Sequence, residues 1–372
     1  MGSFEHYLNV NGRMLRLGYT TGTCAVLAAK GAALALFSGS VPESIRVMTP
    51  KGIPVETVPS ECYMDGDAAV CAVKKDAGDD KDATDGILIY ARVERIPDRD
   101  IVISGGEGIG VVTKPGLDQP VGEPAINSGP RSQIREAVLS VMDELSVDEG
   151  VRIIISAPEG VEIAQRTFNP KLGIEGGISI IGTSGIVEPM SLSAFSDAMR
   201  LSIRQEAAMG NKELIFVPGN YGMDYLRRER LDKSPRPVVM ISNFFGDALD
   251  EASACGISGL LIVGHAGKLV KCAAGIMNTH NSMADGRAEV FASHAALAGG
   301  DKDLIGRLMS SLTSDECVEI LKEAGLLKEV MDSILEKAYR HLYDRAGKDM
   351  RLGVIMFSNV HGTLGSIGEV NI

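Results

Sequence analysis

The chain has no surplus of positive charge. Its 37 Lys and Arg are outnumbered by 49 Asp and Glu, giving a formal net charge of −12, and such a field repels nucleic-acid phosphates and anionic headgroups alike. A general nucleic-acid or membrane-surface role is therefore disfavoured. Long apolar runs are also missing: none approaches the ~20 residues that cross a bilayer, and the best, Ala25 to Phe37, is interrupted by Lys30 and rich in Ala and Gly. Glu5 and His6 follow close behind Met1, with no basic segment leading into an apolar one. A soluble, unexported, cytoplasmic protein is expected. Cys24, Cys62, Cys71, Cys255, Cys272 and Cys317 contain no Cys-x-x-Cys pair, and a chain of this size needs no covalent staples, so they read as reduced thiols.

Several ligand signatures are absent as well. Neither Gly105 to Gly110 nor Gly182 to Gly185 satisfies G-x-G-x-x-G, and no G-K-S/T follows a glycine-rich turn; a nicotinamide dehydrogenase and a phosphate-loop kinase lose their usual fingerprints. No structural zinc spacing occurs. The acidic run Asp76 to Asp82 departs from a calcium loop, because Thr84 and Ala91 stand where Asp or Asn and the closing Glu would be needed. It reads as an Asx-rich turn. No metal site on the protein is expected, and no internal repeat is evident.

What remains is a large, ordinary globular composition: 372 residues, 45% hydrophobic and 23% charged, more than one core usually supports. Residues 1–148 mix one early helix, about 23–37, with strand-like runs at Ile45–Met48, Ala68–Val73, Ile87–Ala91 and Gly110–Thr113, then a helix over Ser132–Leu145. This is the pattern of an α+β domain. From residue 149 the rhythm changes to short, continuously apolar runs at Val151–Ile155, Ile178–Ile181, Leu214–Val217, Val238–Ile241, Leu260–Val263 and Val354–Phe357. Helix-length segments such as Ser191–Met209 and Phe245–Cys255 lie between them. Alternation of this kind predicts a parallel sheet in a Rossmann-like α/β domain over 149–372.

The candidate ligand residues fall in two sets. In an open parallel sheet the loops after the strands hold ligands, which singles out Gly182, Thr183, Ser184 and Gly185, then Asn220 and Tyr221, Asn243, and His265 with Lys268. Glu188 is suited to ribose hydroxyls or a cationic centre. In the first domain, Leu17 to Ala25 reads as a helix start for an anion, with Thr23 as N-cap and the N–H groups of Gly22 and Thr23 presented. Thr20 and Thr21 stand beside them. Lys74, Lys75, Lys114 and Arg131 lie in or near glycine-rich turns and suit carboxylates. His265, at a strand end, is a candidate general base; His280 is weighed beside it. Asp76 either orients Lys74 or Lys75 or acts on a substrate proton. For each residue alone the bland alternative is a tight turn, a satisfied histidine or a solvated charge.

Taken in order, Gly18-Tyr19-Thr20-Thr21-Gly22-Thr23-Cys24-Ala25, Lys74-Lys75-Asp76-Ala77-Gly78-Asp79-Asp80, Gly105-Gly106-Glu107-Gly108-Ile109-Gly110 with Thr113-Lys114-Pro115-Gly116-Leu117, Gly122-Glu123-Pro124-Ala125-Ile126-Asn127, Gly177 to Thr183 with Gly185-Ile186-Val187-Glu188-Pro189-Met190, and Val263-Gly264-His265-Ala266-Gly267-Lys268 resemble the CbiD family. Asn278-Thr279-His280 and Ala284-Asp285 complete the pattern. The resemblance implies a cobalt-precorrin-5B C1-methyltransferase of anaerobic cobalamin synthesis, giving cobalt-precorrin-6A. It also implies S-adenosylmethionine as methyl donor, bound by the second domain, a tetrapyrrole whose carboxylates the first domain grips, and cobalt carried by that substrate. Rival readings are a corrinoid-intermediate chaperone without methyltransferase activity and a nucleotide-dependent kinase or reductase. Self-association and transient contact with neighbouring pathway enzymes are left open by the sequence.

Overall fold

A computed structural model describes residues 4–10, 12–189 and 191–369, apart from the side chains of Ser193 and Asp232. Met190, the last residue of one quoted motif, lies outside the described residues. The fold is mixed α/β, in two compact units, residues 1–191 and 192–372.

The first unit is built around helix α1 (Thr21–Ser38), of whose 18 residues 14 are buried. It is apolar enough to pass for a membrane span. Burial accounts for that apolarity, because the helix is enclosed by α2 and a sheet within its own unit. Gly39, in the left-handed conformation at φ 70°, ends it and returns its N–H to the Ala35 carbonyl. The sheet contains β1 (Glu61–Asp65), β2 (Ala68–Lys74), β3 (Leu88–Ile96), β4 (Ile101–Gly105) and, after α2 (Ser128–Glu144), β5 (Gly150–Ser156). Its order is β1-β2-β3-β5-β4, antiparallel except for β5 beside β4.

That order moves the expected domain boundary. The run Val151–Ile155 does not open the second unit: it is inserted between β3 and β4 as a central strand, so the division falls at Ser191/Leu192 and not at 148/149. A strand covered on both sides reads as continuously apolar in either kind of sheet. Ile178–Ile181 also stays in the first unit, where it forms only isolated bridges from Ile178 to Ile109 and Ile180 to Ile126.

The second unit runs α3 (Leu192–Ala208), β6 (Glu213–Val217), α4 (Asn220–Arg228), β7 (Val238–Met240), α5 (Phe245–Ala254), β8 (Gly259–His265), α6 (Ala266–Ala273), α7 (Arg287–Leu297), α8 (Lys302–Met309), α9 (Ser314–Glu323), α10 (Leu327–Ala346), β9 (Arg351–Ser358) and β10 (Gly362–Gly368). Strand order is β7-β6-β8-β9-β10, parallel throughout except for the last strand. Period-two alternation explains its two covers. Leu214, Phe216, Leu260, Ile262, Val354 and Met356 face the large helical core. Ile215, Val217, Leu261, Val263, Ile355 and Phe357 face a smaller one with Tyr225 and Leu226 of α4.

The start of α1 is fixed by the segment 179–187. Thr20, not Thr23, is the N-cap, its side chain accepting from the Thr23 N–H. Gly22 N–H donates to the Ile181 carbonyl at 2.9 Å. Thr21 Oγ1 donates to the Ser179 carbonyl and accepts from the Ile181 N–H, and Thr23 Oγ1 donates to the Gly185 carbonyl at 2.7 Å. Gly18–Tyr19 pairs antiparallel with Ile186–Val187. Gly182 makes this approach possible: it adopts φ 139°, and a Cβ there would lie 2.1 Å from Thr20 Oγ1. Gly182→Ala is expected to lower stability by about 1–3 kcal/mol through overpacking, read as a drop in the urea midpoint; an unchanged midpoint would show that the loop yields freely.

Candidate functional site

The first-unit residues chosen for ligands are largely occupied by the chain itself. The anion site expected at Gly22 and Thr23 is closed, because both N–H groups have protein acceptors. Gly182 to Gly185 do not follow a strand of the parallel sheet; they form this lid on α1, with Thr183 exposed. Ser184 Oγ bonds within its own turn to Ile186, and the Ser184 carbonyl accepts from the Lys51 N–H. Glu188 is paired with Lys51, so it lacks the freedom expected of a carboxylate awaiting a cation.

Among the cations, Lys75 is buried, 2% exposed, and its Nζ donates to Asp82 at 2.7 Å. It is a structural ammonium rather than an open one. Asp76 takes Arg16 in a bidentate pair at 2.6 and 2.7 Å and accepts the Gly78 N–H. The Arg16 hydrogen bonds hold its carboxyl below the usual range despite burial, with the Lys75 charge adding to the effect, so Asp76 is a carboxylate gripped by Arg16 rather than a poised base. Lys74 and Lys114 are exposed. Arg131, in the first turn of α2, donates Nε to the Ile126 carbonyl and Nη1 to the Ile103 carbonyl, while its buried Nη2 has no hydrogen-bond partner among the described residues, Glu123 standing at 3.9 Å.

The second unit gathers its candidates at one edge. The connection after β6 runs outward to β7, whereas that after β8 runs the other way to β9, so the strand order reverses between β6 and β8, and in an open parallel sheet the carboxyl ends at such a reversal are where ligands bind. Gly219, Asn220 and Tyr221 follow β6, Ser242 and Asn243 follow β7, and His265 ends β8 with Lys268 in the first turn of α6. Tyr221 is 62% exposed, with its ring centroid 5.8 Å from that of His265. Asn243 braces the next loop, its carbonyl and Oδ1 accepting from the N–H and Oγ1 of Thr279. Buried Lys271 holds that loop from beneath through Thr279, Asn281 and Ala284. His280 is engaged with Ser282.

His265 differs from a general base. It is the N-cap of α6, its Nδ1 accepting the Gly267 N–H at 3.0 Å, so the neutral ring carries its proton on Nε2. Among the described residues that buried Nε2–H has no hydrogen-bond partner; it lies 3.6 Å from Asp315 Oδ1, to which Ser358 donates at 2.7 Å. The ring is thus a donor. Ser314, 3% exposed beside it in α9, also has a hydroxyl with no partner among the described residues. No sequence motif points to Ser314, Asp315 or Ser358 as partners of His265. The stretch Thr313 to Glu316 reads as S/T-x-x-E helix-start chemistry, which marks the start of α9 but not its proximity to His265.

Residues 8–189 match the family model CbiD, and residues 278–368 match CbiD, C-terminal domain. The cobalt-precorrin-5B C(1)-methyltransferase of Ruminiclostridium cellulolyticum is 46% identical over 361 residues, covering 97% of this chain and 93% of that protein. The protein of the same name from Thermoanaerobacter sp. is 42% identical over 375 residues, 98% of this chain and 99% of that one. A crystal structure of cobalamin biosynthesis protein (cbiD) from Archaeoglobus fulgidus is 28% identical, covers 79% of this chain and 88% of that chain, and gives a TM-score of 0.40.

Burial draws the His265 ring below its ordinary range, with Asp315 opposing. Between the folded value and the unfolded value of about 6.5, the unfolded state binds more protons. The stability held by neutral His265 is therefore complete above about 6.5 and is lost as pH falls from there through the folded value. His265→Asn retains an N-cap acceptor but cannot titrate. Its unfolding midpoint should fall less steeply than the wild type's on acidification below about 6.5, and equal slopes would remove His265 as the source.

Proposed function

The chain belongs to the CbiD family, and from that premise we propose that it transfers a methyl group to C1 of cobalt-precorrin-5B in cobalamin biosynthesis, with S-adenosylmethionine as donor. It is a methyltransferase. The observation that carries this reading is 46% identity, across nearly the whole of both chains, to a protein named for that reaction. A cytoplasmic setting accords with six free cysteines.

We read the second unit as a Rossmann-like domain and its strand-end crevice as the place of the methyl donor. The fit rests on what the crevice offers: an exposed Tyr221 ring for a flat base, the Asn220 and Asn243 side chains for polar contacts, an orphaned His265 Nε2–H, and Asp315 as acceptor for hydroxyls. When bound, S-adenosylmethionine supplies an electrophilic methyl group. The chain's own work is to hold two reactants in line and to exclude water, a contribution of up to ~7–11 kcal/mol to barrier lowering. No protein nucleophile is required, and the capped His265 acts by orienting through Nε2–H. In the first unit, Lys74, Lys114 and the spare Nη2 of Arg131 are the groups we assign to carboxylate arms of the tetrapyrrole.

Titration with S-adenosylhomocysteine should show stoichiometric binding, and anaerobic incubation with S-adenosylmethionine and cobalt-precorrin-5B should yield a product heavier by one methyl group. Tyr221→Ala should weaken S-adenosylhomocysteine about tenfold, the loss of roughly one stacking contact, with little change in Tm because the ring is exposed. Tight corrinoid binding with no affinity for either cofactor form would favour the chaperone instead.

A further inference from the structure

Lys268 occupies an unusual position at the carboxyl edge of the second sheet. From the first turn of α6 its side chain crosses the end of β6, and Nζ donates to the carbonyls of Pro218, after β6, and Ser242, after β7. The Ser242 carbonyl is presented from a left-handed backbone at φ 52°, a conformation that is unfavourable for a non-glycine residue. Two neutral carbonyls use two of three ammonium hydrogens and cancel none of the charge. Among the described residues no carboxylate pairs with Lys268, although much of the side chain is enclosed.

Gly219 lies beside the ammonium: it adopts φ 149°, which L side chains rarely take, and a Cβ there would be in van der Waals contact with Nζ at 3.7 Å. Gly219 is also the N-cap of α4 and offers no side-chain cap, so the first N–H groups of that helix begin beside the same ammonium without one. A half-enclosed cation lacking a counter-ion, next to uncapped backbone donors at a strand-order reversal, matches one chemical group.

We propose that Lys268, with the start of α4, binds a carboxylate of the ligand that enters this crevice. This rests on the reading of the crevice as the reaction's binding site. Two ligands of that reaction bear the group: the amino-acid end of S-adenosylmethionine and the acetate and propionate arms of the tetrapyrrole. The ammonium holds the carboxylate in place and takes no part in bond making.

The test is calorimetric and needs no turnover. Wild-type protein is titrated with S-adenosylhomocysteine and its decarboxylated analogue, and with cobyrinic acid and cobinamide, whose arms are amides; Lys268→Gln and Lys268→Arg are titrated alongside. If the carboxylate is that of the methyl donor, S-adenosylhomocysteine binds at least tenfold more tightly than its decarboxylated analogue. Gln then removes that difference and Arg largely restores it. If it belongs to the tetrapyrrole, the same pattern appears between cobyrinic acid and cobinamide alone. Either outcome supports the subsite. Equal affinities within both wild-type pairs overturn it, even if Lys268→Gln does not fold. So does a Gln variant that weakens both members of a pair equally, since Lys268 would then act only by bracing the strand ends. Wild-type protein that binds none of the four compounds overturns the functional reading and the subsite with it.

Discussion

A backbone or side-chain donor taken out of water must find an acceptor, and this requirement separates the parts of the molecule that are closed from the part that is open. At the start of α1 the requirement is met internally. Thr20, Thr21, Gly22 and Thr23 exchange hydrogen bonds with one another and with residues 179–185. At the carboxyl edge of the second sheet it is met only in part: among the described residues His265 Nε2, Ser314 Oγ and one hydrogen of Lys268 have no protein acceptor. Both places are rich in glycine, hydroxyls and helix starts, so composition alone makes them look alike. Their hydrogen-bond balance makes one a joint and leaves at the other the unpaired donors on which the proposed ligand site rests.

The same balance explains what the sequence discloses. The helix at 21–38, read as about 23–37, and the four parallel strands of the second sheet are legible because their apolar runs are local, whereas the Thr20 cap and the antiparallel strand Gly362–Gly368 are not foreseen. The strand at 150–156 is recognisable as a strand but not by its partners, since continuous apolarity reports burial on two sides and says nothing about which sheet provides it. The bond from Gly22 to Ile181 spans the whole first unit, and no local pattern announces it. Glycines that serve a close approach between distant segments and glycines that admit a ligand are written with the same letter.

For the candidate site, residues directly after β6, β7 and β8 are found by the rule that ligands gather at strand ends. The chemistry of those residues is less legible. His265 looks like a base until its Nδ1 is seen to cap α6, which leaves a proton on the other nitrogen. Asp76 looks available until Arg16, 60 positions earlier, is seen to grip it. Ser314 and Asp315 belong to a helix start far along the chain, brought beside His265 only by the packing of α9. Residue type can be read directly, whereas protonation and availability depend on neighbours that the fold supplies.

The joint at α1 also sets an order of events during synthesis. Thr21 and Thr23 are translated early, yet their partners at Ile181 and Gly185 lie 160 and 162 residues downstream. Until those residues leave the ribosome, a largely apolar helix waits with its first turn unsealed, and such long-range closure is the slow part of folding. The first unit can thus complete itself only when nearly all of it has been made. The nascent chain carries a long apolar helix, buried in the finished unit, through that whole interval, a period in which a chaperone has the most to protect.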